Sequence, residues 1–234
     1  MTLLSKIGTA RTTGLIYLIV VMTGILSLAY VPSQLVVPED ANKTVENIRA
    51  SQDLFRIGIA AGFVCYLAFL LLPLAFYRLL SHVSQNIAVL MVIFAIVSVP
   101  ISLGNMVNKI EVLTLLSGKA YLASYSAEQL NAAVMWSLAR YNNGVLVAKI
   151  FWGLWLLPLG YLVFRSGMLP KILGVLLMAG CFGYLIDVFG TALSSAYSLS
   201  SIAEFVILPA TIGEIGTCLW LVIFGARKQA QSVG

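Results

Sequence analysis

Long apolar runs alternate with short polar connections along the chain, and this pattern predicts helices that cross a membrane. Each run approaches or reaches the roughly 20 residues needed to span a bilayer core of about 30 Å. The strands of a membrane barrel would instead be about ten residues long and alternate in polarity, whereas residues 69–76 are apolar without alternation. We therefore predict an all-α, polytopic bundle in one domain, 1–234, with six spans near residues 14–30, 55–77, 87–109, 144–164, 170–192 and 202–224.

Two connections carry the signals of short extracytoplasmic surface helices. In the first connection, residues 38–40 supply helix-start chemistry before a polar stretch in which Val45 and Ile48 lie three residues apart. In the third connection, Ser126 and Gln129 form a capping-box pattern. The helix that begins there either lies on the membrane or extends the fourth span outward.

The composition excludes a water-soluble fold. Apolar residues make up 60% of the chain and charged residues 10%, with a mean hydropathy of +0.98, whereas soluble domains contain roughly 45–50% apolar and about 25% charged residues. Lys6 and Arg11 precede the first apolar run, as in a signal peptide. This run is longer than the usual signal core of about 7–15 residues and five more spans follow, so we interpret it as a retained first helix.

The distribution of charge predicts the orientation. Because the number of spans is even, both termini lie on one side of the membrane. The N-terminal segment, the second and fourth connections and the tail hold basic but no acidic residues, namely Lys6, Arg11, Arg78, Arg165, Lys171, Arg227 and Lys228. Basic residues collect on the cytoplasmic side, so we predict cytoplasmic termini. The net charge of +5 is then mostly a topology signal and requires no nucleic-acid partner.

The sequence contains no recognisable cofactor site. Cys65, Cys181 and Cys218 lie in apolar runs without the spacing of a zinc site or a disulfide framework, which indicates buried free thiols. His82 has no second histidine for bis-histidine haem ligation. Phosphate loops, dinucleotide fingerprints, nucleophile elbows and His-Glu-x-x-His zinc motifs are also absent from the sequence. We predict no cofactor and no soluble-type enzyme chemistry.

Polar and ionisable residues inside the spans are the candidate site, because a charge at the bilayer centre costs about 2.5–3.5 kcal/mol on insertion scales and such groups face other helices or a watery cavity. At about 1.5 Å of rise per residue, Glu214 lies near the midplane, with Lys149 and Asp187 in the outer half. Lys109, Arg56 and Glu204 are expected at the solvated rim.

Residues three, four and seven apart share a helix face, and this spacing gives polar stripes on the last four spans. The economical arrangement is an interior pocket that opens toward the outer surface, with Lys149 as the counter-ion of Asp187, Glu214 or both. The predicted ligand-binding residues are Glu214, Lys149, Asp187, Asn105, Asn142 and Tyr184.

Several stretches resemble one known family. They are VPEDANKTVENIR at 37–49, LFRIGI at 54–59, YNNG at 141–144, FWGLWLLPLG at 151–160, ILG at 172–174 and PATIGEIG at 209–216. Together they are similar to the bacterial membrane family known as domain of unknown function 4386, over nearly the whole chain. The resemblance implies a bacterial multi-pass protein of the cytoplasmic membrane. It implies no reaction and no catalytic residue.

Three functions are compatible with these patterns. The first is binding or transport of a small amphipathic, lipid-like or weakly charged ligand, with Glu214 and Asp187 as polar contacts. The second is an intramembrane enzyme in which Glu214 acts as general acid on an isoprenoid or other lipid. The third is a structural or accessory subunit whose charges only fix helix packing. We favour the first, with the bilayer and the ligand as partners, and the pattern predicts no particular oligomeric state.

Overall fold

The protein is helical throughout the part of the chain that the structure, a computed structural model, describes: residues 3–194, 196–197 and 200–226. These ranges contain no β-strand, which confirms the all-α prediction. The helices are α1 (Leu3–Ile25), α2 (Val31–Leu35), α3 (Ala41–Ala50), α4 (Gln52–Leu80), α5 (Gln85–Leu115), α6 (Ala127–Leu154), α7 (Leu156–Ser166), α8 (Lys171–Leu193), α9 (Ser201–Phe205) and α10 (Leu208–Ile223). A π turn, Leu26–Tyr30, joins α1 to α2.

Within the described residues, six helical segments are long and apolar enough to cross a membrane, as predicted. In chain order, the first to sixth spans are Gly8–Leu35, Gln52–Leu80, Gln85–Leu115, Ala127–Ser166, Lys171–Leu193 and Ser201–Ile223. The first four spans are longer than the predicted runs, because the polar residues that flank each apolar run are helical as well. The first span begins and the sixth span ends on the same side of the bundle, which we call the termini side. We call the opposite side the loop side.

Local capping starts both helices that the loop-side connections predict. The Asp40 carboxylate accepts a hydrogen bond from the Lys43 backbone N–H at 2.8 Å and caps α3, whose residue Ile48 is fully buried. The capping box of Ser126 and Gln129 is formed in both directions. The helix that it starts, α6, is continuous to Leu154. It therefore extends the fourth span instead of lying on the membrane.

Three spans are interrupted, and a proline follows each interruption. Proline has no N–H and its ring clashes with the carbonyl of residue i−4, so a helix breaks or widens there. Residue i−4 of Pro158 is the last residue of α6, and residue i−4 of Pro209 is the last residue of α9. Residue i−4 of Pro32 lies in the π turn. Pro73 and Pro100, in contrast, lie inside unbroken helices.

The spans form a closed ring in chain order. Each packs against the next, and α10 of the sixth span returns to α1 of the first. Trp155 fills the interior toward the termini side: it is fully buried, and its ring meets Tyr17, Phe69 and Phe76 edge-on at 5.1–6.4 Å. Aromatic rings prefer such edge-to-face contacts. The ring of helices is therefore filled on one side of Trp155, and the space on its other side holds the candidate site.

Helices α7 and α8 approach each other through glycine. A Cβ placed on Gly160 would lie 2.6 Å from the Gly174 carbonyl oxygen, and one on Gly174 would lie 2.7 Å from that of Gly160. Small residues permit this close backbone approach between membrane helices. This contact holds the second half of the broken fourth span against the fifth.

Replacing Gly160 tests this contact. We expect Gly160→Ala to destabilise the protein by about 1–3 kcal/mol, because the added methyl group overpacks a backbone contact. Gly104→Ala is the matched control, since its Cβ meets nothing within 4 Å; alanine there stabilises the helix by up to about 1 kcal/mol. Thermal denaturation in detergent micelles, followed by circular dichroism, measures both. Equal denaturation midpoints for the two variants would contradict the packing role.

The orientation of the termini stays a prediction, which cysteine labelling checks. Lys119 and His82 are exposed and lie in connections on opposite sides of the bundle. The native thiols give little background, because Cys65, Cys181 and Cys218 are buried and free, as predicted. In intact cells, we expect a membrane-impermeant maleimide to label Lys119→Cys, and to label His82→Cys only after the membrane is opened. The reverse pattern would place the termini outside.

Candidate functional site

The ring of spans encloses two adjoining cavities. The central cavity has a volume of about 220 Å³ and is bordered by Glu214. The loop-side cavity has a volume of about 550 Å³ and is bordered by Lys109, Asn142 and Lys149. Six residues border both cavities, namely Gly24, Ile25, Leu28, Trp152, Tyr184 and Thr211. The cavities are therefore two parts of one hollow.

The hollow is open between the first and sixth spans. These spans meet in their termini-side halves, where a Cβ on Gly14 would lie within 3 Å of Leu221 and Val222. In their other halves, Leu28 and Thr211 border the hollow and are exposed. Asn142, on the fourth span across the hollow, is exposed as well. A side opening between two spans faces the lipid in a membrane.

Glu214 is held by two tyrosines. Its Oε1 accepts a hydrogen bond from the Tyr17 hydroxyl at 3.2 Å, and its Oε2 accepts one from the Tyr184 hydroxyl at 3.5 Å. The ion pairs among the described residues do not include Glu214. The sequence predicted that Glu214 faces inward, and Glu214 borders the central cavity. The sequence did not predict these two hydroxyl donors.

Lys149 forms an ion pair with Asp187. The Lys149 Nζ lies 2.8 Å from Asp187 Oδ2, and the two side chains are 27% and 11% exposed. Of the three alternatives for the counter-ion of Lys149, the structure gives Asp187 alone. This pair joins the fourth and fifth spans. Lys149 borders the loop-side cavity, whereas Asp187 borders neither cavity and is connected to the site only through this ion pair.

The two asparagines of the predicted site occupy different places. Asn142 borders the loop-side cavity. Asn105 borders neither cavity: it donates to the Tyr141 carbonyl oxygen at 2.8 Å and accepts from Asn108. Its side chain also fills the space beside Gly144. Asn105 thus makes a polar packing contact between the third and fourth spans, as small and polar residues do in membrane bundles.

Lys109 is buried, so the prediction of a solvated position at the rim is wrong for this residue. Its Nζ donates to the Ser27 carbonyl oxygen at 2.9 Å and lies 4.3 Å from the centre of the Tyr141 ring. Arg56 is exposed, as expected for the rim, and the Glu204 side chain lies outside the described residues.

The π turn explains why Lys109 is drawn inward. In the turn, the Val31 N–H bonds to the Leu26 carbonyl oxygen, five residues back. The same spacing assigns the Ser27 carbonyl to Pro32, which has no N–H. A buried carbonyl without a donor is costly, and the lysine ammonium supplies one. Pro32 and Lys109 lie on different spans, so the spacing of residues along one span does not indicate this contact.

Six aromatic side chains border the central cavity together with Glu214. Tyr66 and Trp152 stack with ring centres 6.4 Å apart, and Phe69 and Trp155 meet edge-on at 5.1 Å. All four border the central cavity, as do Tyr17 and Tyr184. Sequence reasoning missed Tyr17, because the first span carries no polar stripe that would mark an inner face. The result is a carboxyl group inside an aromatic enclosure.

The Lys149–Asp187 pair makes a measurable prediction about stability. Removing one partner from a buried pair leaves an uncompensated charge, at a cost of about 3–5 kcal/mol; partial exposure of Lys149 reduces this to about 1–3 kcal/mol for Lys149→Met. We expect the double variant Lys149→Met with Asp187→Leu to regain most of this loss. Lys43→Met, in the exposed Lys43–Glu46 pair, is the control. Additive losses in a double-mutant cycle would show that the pair is not coupled.

Comparisons with known proteins identify the family. The family model described as "Domain of unknown function (DUF4386)" matches residues 12–225. A protein of Archaeoglobus fulgidus, named there as uncharacterized, is 33% identical over 159 residues, which cover 68% of this chain and 77% of that protein. No solved structure matches the chain. Since this relative is archaeal, bacterial origin stays a prediction. The family match reaches from the first span to the end of the sixth, and the chain therefore belongs to the DUF4386 family.

Proposed function

We propose that this multi-pass membrane protein binds a small amphipathic or lipid-like ligand in the hollow between its spans, and carries or transports it. One observation carries this proposal: all three interrupted spans have their interruption at the hollow. Leu28 of the π turn borders both cavities. Trp155, between α6 and α7, borders the central cavity, and Ile207, between α9 and α10, borders the loop-side cavity.

Interrupted helices are costly in a membrane, so three interruptions that all border the same hollow require an explanation. Each break leaves backbone groups without their helical partners, and lipid supplies no replacement. Irregular backbone at membrane depth is found where it is buried in protein or lines a cavity. Transporters use broken helices of this kind to bind substrate. Three breaks around one hollow favour a ligand site over a purely structural bundle.

The chemistry of the wall favours an amphipathic ligand. Most bordering residues are apolar or aromatic, with a few polar groups at definite positions, the usual composition of a small-molecule site. Glu214 lies at one end of the hollow and Lys149 and Asn142 at the other. The opening between the first and sixth spans gives a hydrophobic molecule a path from the bilayer. We place this protein in the plasma membrane with the loop side outward, so that the ligand enters from the outer leaflet.

Binding of three probes that carry saturated straight chains of similar length tests the proposal. Decanol, decanoate and decyltrimethylammonium are titrated against the protein in maltoside-detergent micelles, whose head groups are uncharged sugars. The signal is the emission of Trp152 and Trp155, which border the hollow, in a background that carries Trp136→Phe and Trp220→Phe. We expect a saturable change with at least one probe, beyond that of empty micelles, because the ligand changes the surroundings of the part-exposed Trp152 ring.

A pair of neighbouring substitutions locates the binding site. We expect Thr211→Phe to weaken binding by about tenfold or more, because Thr211 borders both cavities and overpacking costs about 1–3 kcal/mol. Ile212→Phe is the control, since Ile212 is 55% exposed and borders neither cavity. The absence of any saturable signal, or equal effects of both substitutions, would count against a ligand in the hollow.

A further inference from the structure

We infer that the central cavity recognises a positively charged organic group, a quaternary or protonated amine, as the head of the amphipathic ligand. This inference rests on the proposed function and names the chemical class of its ligand. Two features of the cavity support it: a carboxyl group that faces the cavity and forms no ion pair among the described residues, and six aromatic rings that border the same cavity.

The carboxyl group of Glu214 has capacity for a cation. Each of its oxygens accepts one hydrogen bond from a tyrosine hydroxyl, which leaves further lone pairs on both oxygens. Among the described residues it forms no ion pair, whereas Asp187 on the adjacent span is paired with Lys149. A carboxylate inside a membrane protein usually pairs or marks a ligand or ion path. A bound ammonium group would supply the missing partner.

The aromatic enclosure is suited to the same cation. Faces of tryptophan and tyrosine rings attract alkylammonium groups, and cages of such rings are a known mode of binding them. The central cavity is bordered by the two tyrosines that hold Glu214 and by Tyr66, Phe69, Trp152 and Trp155. Ring contacts between these residues fix their orientation. The site is thus formed before a ligand arrives, which reduces the entropic cost of binding.

Charge directs the head group to the central cavity instead of the loop-side cavity, and the central cavity is large enough to hold it. Lys109 and Lys149 border the loop-side cavity, and the Lys109 ammonium, which forms no ion pair among the described residues, disfavours a second cation there. The central cavity, at about 220 Å³, is several times the roughly 30 Å³ that one water occupies, and accommodates a small ammonium group. The tail can then follow the shared wall toward the opening between the first and sixth spans.

The three straight-chain probes used above measure this preference, because their chains are of similar length and their head groups are neutral, anionic and cationic. In wild-type protein we expect decyltrimethylammonium to bind about tenfold or more tightly than decanol, the gain that an aromatic cage and a carboxylate provide together. In Glu214→Gln we expect this preference to fall, because only the aromatic contribution remains, while the affinity for decanol stays within about twofold. Glu111→Gln, at an exposed ion pair with Arg140, is the matched control and retains the preference.

The outcomes separate this inference from the proposed function. Equal affinity for decyltrimethylammonium and decanol, preference for decanoate, or an unchanged preference in Glu214→Gln would each overturn the inference. If decanol or decanoate still binds in a manner that Thr211→Phe weakens, the proposed function stands; if no probe binds, both fail. Should Glu214→Gln not fold, the wild-type preference decides the question together with Tyr184→Phe. Tyr184→Phe removes the hydroxyl group that donates a hydrogen bond to Glu214. We expect it to alter the affinity for decyltrimethylammonium but not the affinity for decanol.

Discussion

The need to satisfy backbone hydrogen bonds without water is the constraint on which the rest of this structure depends. Pro32, Pro158 and Pro209 each remove a donor from a membrane-spanning helix, and each lies just after an interruption of that helix. The freed groups require partners inside the protein, because lipid offers none. For the π turn of the first span, the partner is the buried ammonium of Lys109 on the third span. One missing N–H thus places a charge in the interior of the bundle.

The same constraint explains why the hollow and the polar residues occur together. Breaks in three spans prevent those helices from packing evenly along their length, and space is left beside the breaks. On the termini side, glycines allow close helix contact and Trp155 fills the centre. Beyond Trp155, the space is bordered by Glu214 at one end and by lysines at the other. The two parts of the hollow consequently differ in charge, because Glu214 borders one part and Lys109 the other, and neither forms an ion pair among the described residues.

The candidate site was only partly predictable from the sequence. Glu214, Lys149, Asn142 and Tyr184 border the hollow, since polar stripes on apolar helices must face inward. The choice of Asp187 as the partner of Lys149 depended on the rotation of two helices, which spacing along one helix does not specify. Lys109 was expected near water because of its place at the end of a predicted run. It is buried because the backbone of another span lacks a donor, and such pairings between spans leave little trace in a local pattern.

The sequence by itself determined the fold class, the number and order of the spans, and the capped helices of the connections. These follow from short-range physics: the length of an apolar run against the thickness of a bilayer, and side chains that cap backbone groups three residues away. Only the tertiary structure decided which polar groups meet, that the six spans close into a ring, and where the ring stays open. Those features depend on contacts between residues up to about 200 positions apart, such as Tyr17 with Glu214, whose geometry is set by the packing of whole helices.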